Sequence, residues 1–143
     1  MAITAKYILT CDEVRQEANG KYIIIGLYTP DLTIPQIPFG LPSLTFFLAL
    51  ESDRPGNFQM RFSVQQLDTG VNILEGMGAV GFQRPGLGPV AIPIKNVGIP
   101  SAGTFVFSLT IEGQKDPITS SFNIVLAPPQ SQPGVPPGFP HMR

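Results

Sequence analysis

Alternation with a period of two constrains this chain more than any other feature. Leu44, Phe46, Leu48 and Leu50 share one face of an extended segment, with Thr45, Phe47, Ala49 and Glu51 on the other. Met60, Phe62 and Val64 alternate with Arg61, Ser63 and Gln65. Phe105, Phe107, Leu109 and Ile111 alternate with Val106, Ser108 and Thr110, and Phe122, Ile124 and Leu126 close the series. An apolar face backed by a mixed one, strand after strand, is what two packed antiparallel sheets require.

The turns agree with this pattern. Asn19-Gly20 separates the apolar stretches Tyr7–Cys11 and Tyr22–Tyr28, and Asn-Gly suits a type I′ hairpin. Asp68-Thr69-Gly70 joins two further strands, and Glu112-Gly113-Gln114 opens the turn before the last one. Strands are predicted near 4–12, 21–28, 44–51, 58–67, 71–80, 89–95, 104–112 and 119–126. About eight strands with no good helix predict an all-β, antiparallel two-sheet sandwich, with a closed barrel as the less favoured alternative. The 16 prolines and 15 glycines among 143 residues suit such a turn-rich fold.

Two segments break the alternation. Between Pro30 and Pro42, Pro35 and Pro38 stand among Ile34, Ile37, Phe39 and Leu41. Proline donates no ladder hydrogen bond, so an extended crossover or edge is expected here and not a central strand. Its apolar residues cover one end of the sandwich or, in a second reading, form a binding lip. The other segment is the tail, PPQSQPGVPPGFPHMR, which contains six prolines. The domain division that follows is a sandwich over residues 1–127 and a proline-rich extended tail over 128–143. The tail is read either as a loose end or as an arm laid on a neighbouring subunit or partner.

Charge narrows the partners. Charged residues make up 13% of the chain, against about 25% in a typical domain, and the net charge is −1. Copies of such a chain repel one another weakly, which favours association; a neutral surface rich in Gln, Ser, Thr and Asn is the alternative reading. Basic residues are scattered, so no nucleic-acid partner is expected. The longest uninterrupted apolar stretches, such as Phe46–Leu50, are strand-sized, and no membrane partner is expected. Cys11 is the single cysteine, no Asn-x-Ser/Thr acceptor occurs, and no charged-then-apolar leader is recognised. The expected location is the cytoplasm, or a virion assembled there.

Several patterns mimic chemistry. Gly76-Met77-Gly78-Ala79-Val80-Gly81 matches G-x-G-x-x-G, but Phe82-Gln83-Arg84-Pro85-Gly86 follows where a phosphate-binding helix would have to start. Cys11 as a nucleophile would need an imidazole, and the one histidine, His141, lies in the tail. Asp12, Glu13 and Glu17 are interleaved with Arg15 and Lys21, which reads as a charged hairpin with local ion pairs. Asp53 and Asp68 fall at predicted strand ends, where Asp serves turns. No catalytic, metal-binding or cofactor-binding residue is expected, and no cofactor.

The stretch Leu9-Thr10-Cys11-Asp12-Glu13-Val14-Arg15, followed by Asn19-Gly20-Lys21-Tyr22-Ile23-Ile24-Ile25-Gly26-Leu27-Tyr28, resembles the opening of a family of uncharacterised bacterial and phage proteins. Those small proteins share its Cys-Asp, Gly-Lys and Ile-Gly pattern. The resemblance continues through Leu67-Asp68-Thr69-Gly70 and Gly103–Phe107, and so spans most of residues 4–126. It implies an immunoglobulin-like sandwich and brings with it no assigned activity or functional residue.

The leading expectation is a non-enzymatic β-sandwich acting through protein contacts, self-associating or built into a larger assembly such as a phage particle. The residues expected to make those contacts are Phe47 on a strand's second face and Pro128, Pro129, Val135, Phe139 and Pro140 in the tail. Phe47 is instead core if both faces of its strand are covered. A small-ligand or peptide-binding module, with a pocket built from Ile34–Leu41 and the Gly76–Gly88 loop, is the second expectation. A carboxylate-based hydrolase ranks last.

Overall fold

Nine strands follow one another in the computed structural model, which describes residues 2–29 and 31–128. They are β1 (Ile3–Gln16), β2 (Tyr22–Leu27), β3 (Asp31–Ile34), β4 (Phe39–Ser52), β5 (Gly56–Gln66), β6 (Asn72–Phe82), β7 (Gly86–Ile99), β8 (Gly103–Ile111) and β9 (Ile118–Leu126). A four-stranded sheet runs β2-β1-β4-β7 and a five-stranded sheet runs β3-β9-β8-β5-β6. The two pack face to face as a sandwich, and no helix occurs among the described residues.

The alternating apolar faces meet between the sheets. Leu44, Phe46, Leu48 and Leu50 of β4 point inward against Phe105, Phe107, Leu109 and Ile111 of β8, all essentially without solvent contact. The Phe46 and Phe107 rings stack with centroids 4.4 Å apart, and Phe122 leans on both Phe46 and Phe105. Each such ring, fully buried, contributes about 1.5–3 kcal/mol of transfer free energy. One buried polar side chain closes an end of the sandwich. Gln66 donates to the Ala102 carbonyl at 3.1 Å and accepts from the Ser101 hydroxyl at 2.8 Å, so its amide is satisfied away from water.

The structure departs from the sequence reading in four places. Residues 31–34 form a strand, β3, which pairs in parallel with β9 from Asp31↔Asn123 to Ile34↔Leu126, so the sandwich has nine strands and one parallel pair. Second, the proline-bearing segment from Phe39 runs straight into central strand β4. Pro42 is tolerated because β1 pairs with β4 only as far as Cys11↔Thr45, leaving that flank of β4 free of a ladder. Third, β1 continues to Gln16, four residues beyond the predicted end. Finally, the hairpin turn is not type I′. Gly20 donates to the Glu17 carbonyl at 3.0 Å, and of the Asn19-Gly20 pair only Gly20 has a positive φ, +89°.

Candidate functional site

The far half of the β1–β2 hairpin does not extend the four-stranded sheet; it folds back over that sheet's outer face. β1 pairs with β4 from Ile3↔Ser52 to Cys11↔Thr45, and with β2 from Cys11↔Leu27 to Gln16↔Tyr22. In a flat ladder Tyr22, opposite Gln16, would lie about 23 Å along the strand from Leu9, the residue opposite Phe47. Instead the Tyr22 and Phe47 rings have centroids 5.0 Å apart. The bend is made at Asp12 and Gly26. Gly26 has φ +68°, and a Cβ there would run into the Asp12 carboxylate. The Tyr28 hydroxyl donates to Asp12 Oδ1, and the Asp12 carbonyl accepts from the Ser43 and Thr45 hydroxyls at 3.1 and 3.2 Å. Burial first, and then the bond to Asp12, push the Tyr28 phenol well above its ordinary value.

This curl covers the second face of β4 and creates a new outer surface. Phe47 is 4% exposed and Cys11 has no exposed surface. Outside them the hairpin presents Ile23, Ile25 and Leu27, exposed at 43%, 37% and 47%, on the face turned away from the sheet. Tyr7, at 49%, and Tyr22 flank Phe47 at the hairpin's foot. A groove of about 350 Å³ opens between Tyr22 and Ile24 of the hairpin, Tyr7, and Leu87 and Pro89 of β7, with Phe47 among its lining residues. Charge on this surface is confined to short-range pairs. Arg15 donates to Glu13 at 2.8 Å, which holds the Glu13 carboxyl below the usual range, and Lys6 meets Glu51 at 3.4 Å.

Phe47 thus underlies the surface and does not itself present to a partner; it is held beneath Tyr7 and Tyr22. Pro128 is the last described residue and is exposed, while Pro129, Val135, Phe139 and Pro140 lie outside the described residues. His141 lies outside them as well. Cys11 Sγ sits 3.6 Å from the Thr45 carbonyl oxygen, and burial raises its thiol pKa. Asp53 accepts from the Ala2 amide at 3.0 Å and from Arg54 at 3.2 Å, serving the end of β4. Among the described residues no cluster of His, Cys, Asp and Glu has the arrangement of a metal site. Gly76, Gly78 and Gly81 lie inside strand β6, where a Cβ at Gly76 would press on the Phe62 ring.

A second concave site lies at the end of the sandwich where β4 begins and β7 ends. Pro38 and Phe39, Val71 and Ile73, and Ile99 and Pro100 line an apolar cleft of about 520 Å³, with Asn72 among them. The Ile34–Leu41 half of the expected pocket therefore does line a cleft. Its other half does not. Phe82 and Gly86 pair with Gly56 and Ser52, at the opposite end of the strands, so the Gly76–Gly88 segment does not join it. The first residues of β6 take its place.

Sequence reading missed the β2 surface. Its signal was the run Tyr22-Ile23-Ile24-Ile25, where alternation fails and both faces of a short strand are apolar. One face covers Phe47; the other is exposed.

Among solved structures, the C-terminal domain of wzt aligns with 90% of this chain and 75% of its own, with a TM-score of 0.54 at 10% identity. That likeness is one of fold alone. The alkylpurine DNA glycosylase AlkC of Pseudomonas fluorescens, solved with DNA containing an abasic site analog, aligns over 86% of this chain and 30% of its own, with a TM-score of 0.48 at 11% identity. A β-glucosidase from Listeria innocua, in complex with isofagomine, aligns over 85% of this chain and 16% of its own, with a TM-score of 0.46 at 9% identity. This chain thus spans less than a third of either enzyme. No curated protein matches it. A family model described as "Family of unknown function (DUF6941)" matches residues 6–122, from β1 into β9, and the chain belongs to that family.

Proposed function

We propose that this chain is a non-enzymatic contact module, a β-sandwich that associates with itself or takes a place in a larger protein assembly, including a phage particle. One observation carries the reading. Tyr7, Tyr22, Ile23, Ile25 and Leu27 gather exposed apolar surface on one hairpin and its foot, with no unpaired charge between them. Clustered apolar surface of this kind marks protein–protein contact sites, whereas singly scattered apolar side chains do not. The low charge density of the whole chain supports the same reading, because it leaves little repulsion to overcome.

Solution mass by light scattering tests it, on the full chain and on a version ending at Ala127. The reading expects an oligomer at micromolar concentration. An oligomer that survives truncation assigns the contact to the sandwich; one that dissociates assigns it to the proline-rich segment. A full chain that stays monomeric up to millimolar concentration contradicts self-association.

The apolar cleft at Pro38, Phe39 and Ile99 favours a second reading, a small-ligand or peptide-binding module. A thermal-shift screen of apolar and aromatic compounds tests it. A ligand at 100 times its dissociation constant stabilises the fold by about 2.7 kcal/mol, a shift of several degrees for a domain of this size. A screen without shifts contradicts this second reading.

A further inference from the structure

A sandwich of two open sheets has four edges, each a row of peptide groups ready to pair with another chain unless something blunts it. Three of the four are blunted here. β7 carries Pro89 and Pro93 opposite Ala49 and Thr45 of β4, so the missing amide hydrogens fall on its free side, and it adds Lys95. β3 is four residues long and begins with the charge of Asp31. β6 places Glu75 in its middle and breaks its own propensity with Gly76, Gly78 and Gly81. β2 has none of these devices. Its six residues, Tyr22 to Leu27, include no charge and no proline, and in the sheet order it neighbours β1 alone.

The hydrogen-bond pattern shows what that edge offers. Glu17 donates to the Lys21 carbonyl at 2.7 Å, closing the hairpin. Antiparallel alternation from that pair turns the peptide groups of Ile23 and Ile25 toward β1 and those of Tyr22 and Ile24 outward. The side-chain stripe Ile23-Ile25-Leu27 is symmetric in character about Ile25, apolar at all three positions and exposed at each. A second copy laid antiparallel across this edge would meet Ile23 with Leu27 and Ile25 with itself, opposing no like charges.

Building on the contact-module reading, we infer that the free edge of β2 is a strand-addition site whose partner is a second copy of this chain, paired antiparallel about a two-fold axis at Ile25. The product is a four-stranded β1-β2-β2-β1 ribbon with an isologous interface, the commonest symmetry of soluble oligomers. The absence of charge on β2 selects this partner, because a foreign strand gains no electrostatic match there while an identical one incurs no penalty.

Two variants of the full chain test it. In a non-hydrogen-bonded antiparallel pair the Cα atoms lie about 4.5 Å apart, within the span of a disulfide. Ile25→Cys is therefore expected to form a reducible covalent dimer under mild oxidation, while the wild type, whose Cys11 is buried, stays uncrosslinked. Ile23→Lys with Ile25→Lys places like charges opposite each other. It is expected to halve the solution mass while keeping the far-ultraviolet circular dichroism of the wild type. A wild-type oligomer that withstands both lysines, or that leaves Ile25→Cys uncrosslinked, overturns the β2 pairing and leaves the contact-module reading standing. A monomeric wild type overturns both.

Discussion

Tyr28 follows β2 with its hydroxyl turned onto Asp12, and that one bond ties the returning end of the hairpin to the strand it left. The folded state holds the Tyr28 proton at pH values where the unfolded chain has lost it, because burial and Asp12 raise its pKa. The stability this difference contributes is complete below about pH 10 and is lost as pH climbs beyond the ordinary tyrosine value. The buried Cys11 thiol acts with the same sign from about pH 9 upward. Chemical denaturation at pH 7 and pH 11 checks this. Tyr28→Phe should be weaker than wild type by about 1 kcal/mol at pH 7, yet lose less of its stability at pH 11. Gly26→Ala forces a side chain into φ +68° and against Asp12, and is expected to cost about 1–3 kcal/mol. Phe47→Ala should cost about 3–5 kcal/mol in the same assay, because its ring is buried beneath two tyrosines. At this scale the sequence was partly legible. The Cys-Asp, Gly-Lys and Ile-Gly pattern stood out, and its residues prove architectural: Cys11 under the hairpin, Gly20 at its turn, Asp12 and Gly26 at its bend. What did not show was that Phe47 is covered, since the covering residue, Tyr22, arrives from 25 positions away by a fold-back that periodicity does not encode.

Elements were read more accurately than their ends. The alternating segments at 44–51, 58–67 and 104–112 form β4, β5 and β8, where one apolar and one mixed face leave little choice of register. Proline misled at two places for one reason. Pro42 sits in a strand with neighbours on both sides, and Pro89 and Pro93 sit in a fourteen-residue strand, yet each falls where no ladder bond is required. β3 escaped notice because four residues between prolines carry too little periodicity to show. The hairpin was foreseen, but its reach to Gln16 was not, because Asp12 to Gln16 reads as a polar turn and its role depends on the curl. One prediction belongs to this scale. Deleting residues 17–21 and closing the hairpin with two residues should shorten its reach and uncover Phe47. The expected signature is a drop in melting temperature with the far-ultraviolet spectrum of the sandwich retained.

As a whole molecule the chain is a neutral-surfaced sandwich with three blunted sheet edges and one bare one, and that contrast explains more of its exposed apolar surface than any pocket does. Low overall charge, legible from composition alone, pointed toward association; only the folded arrangement says where. The family it belongs to has no assigned function, so the surface itself carries the argument. The measurement that tests it most directly is hydrogen–deuterium exchange on the full chain at low and high protein concentration, compared strand by strand. The account predicts that amide protection in Tyr22–Leu27 rises with concentration while β6 and β7, the other long edges, exchange at constant rates. Unchanged exchange in β2, with protection appearing at β6 or β7 or nowhere, would contradict it.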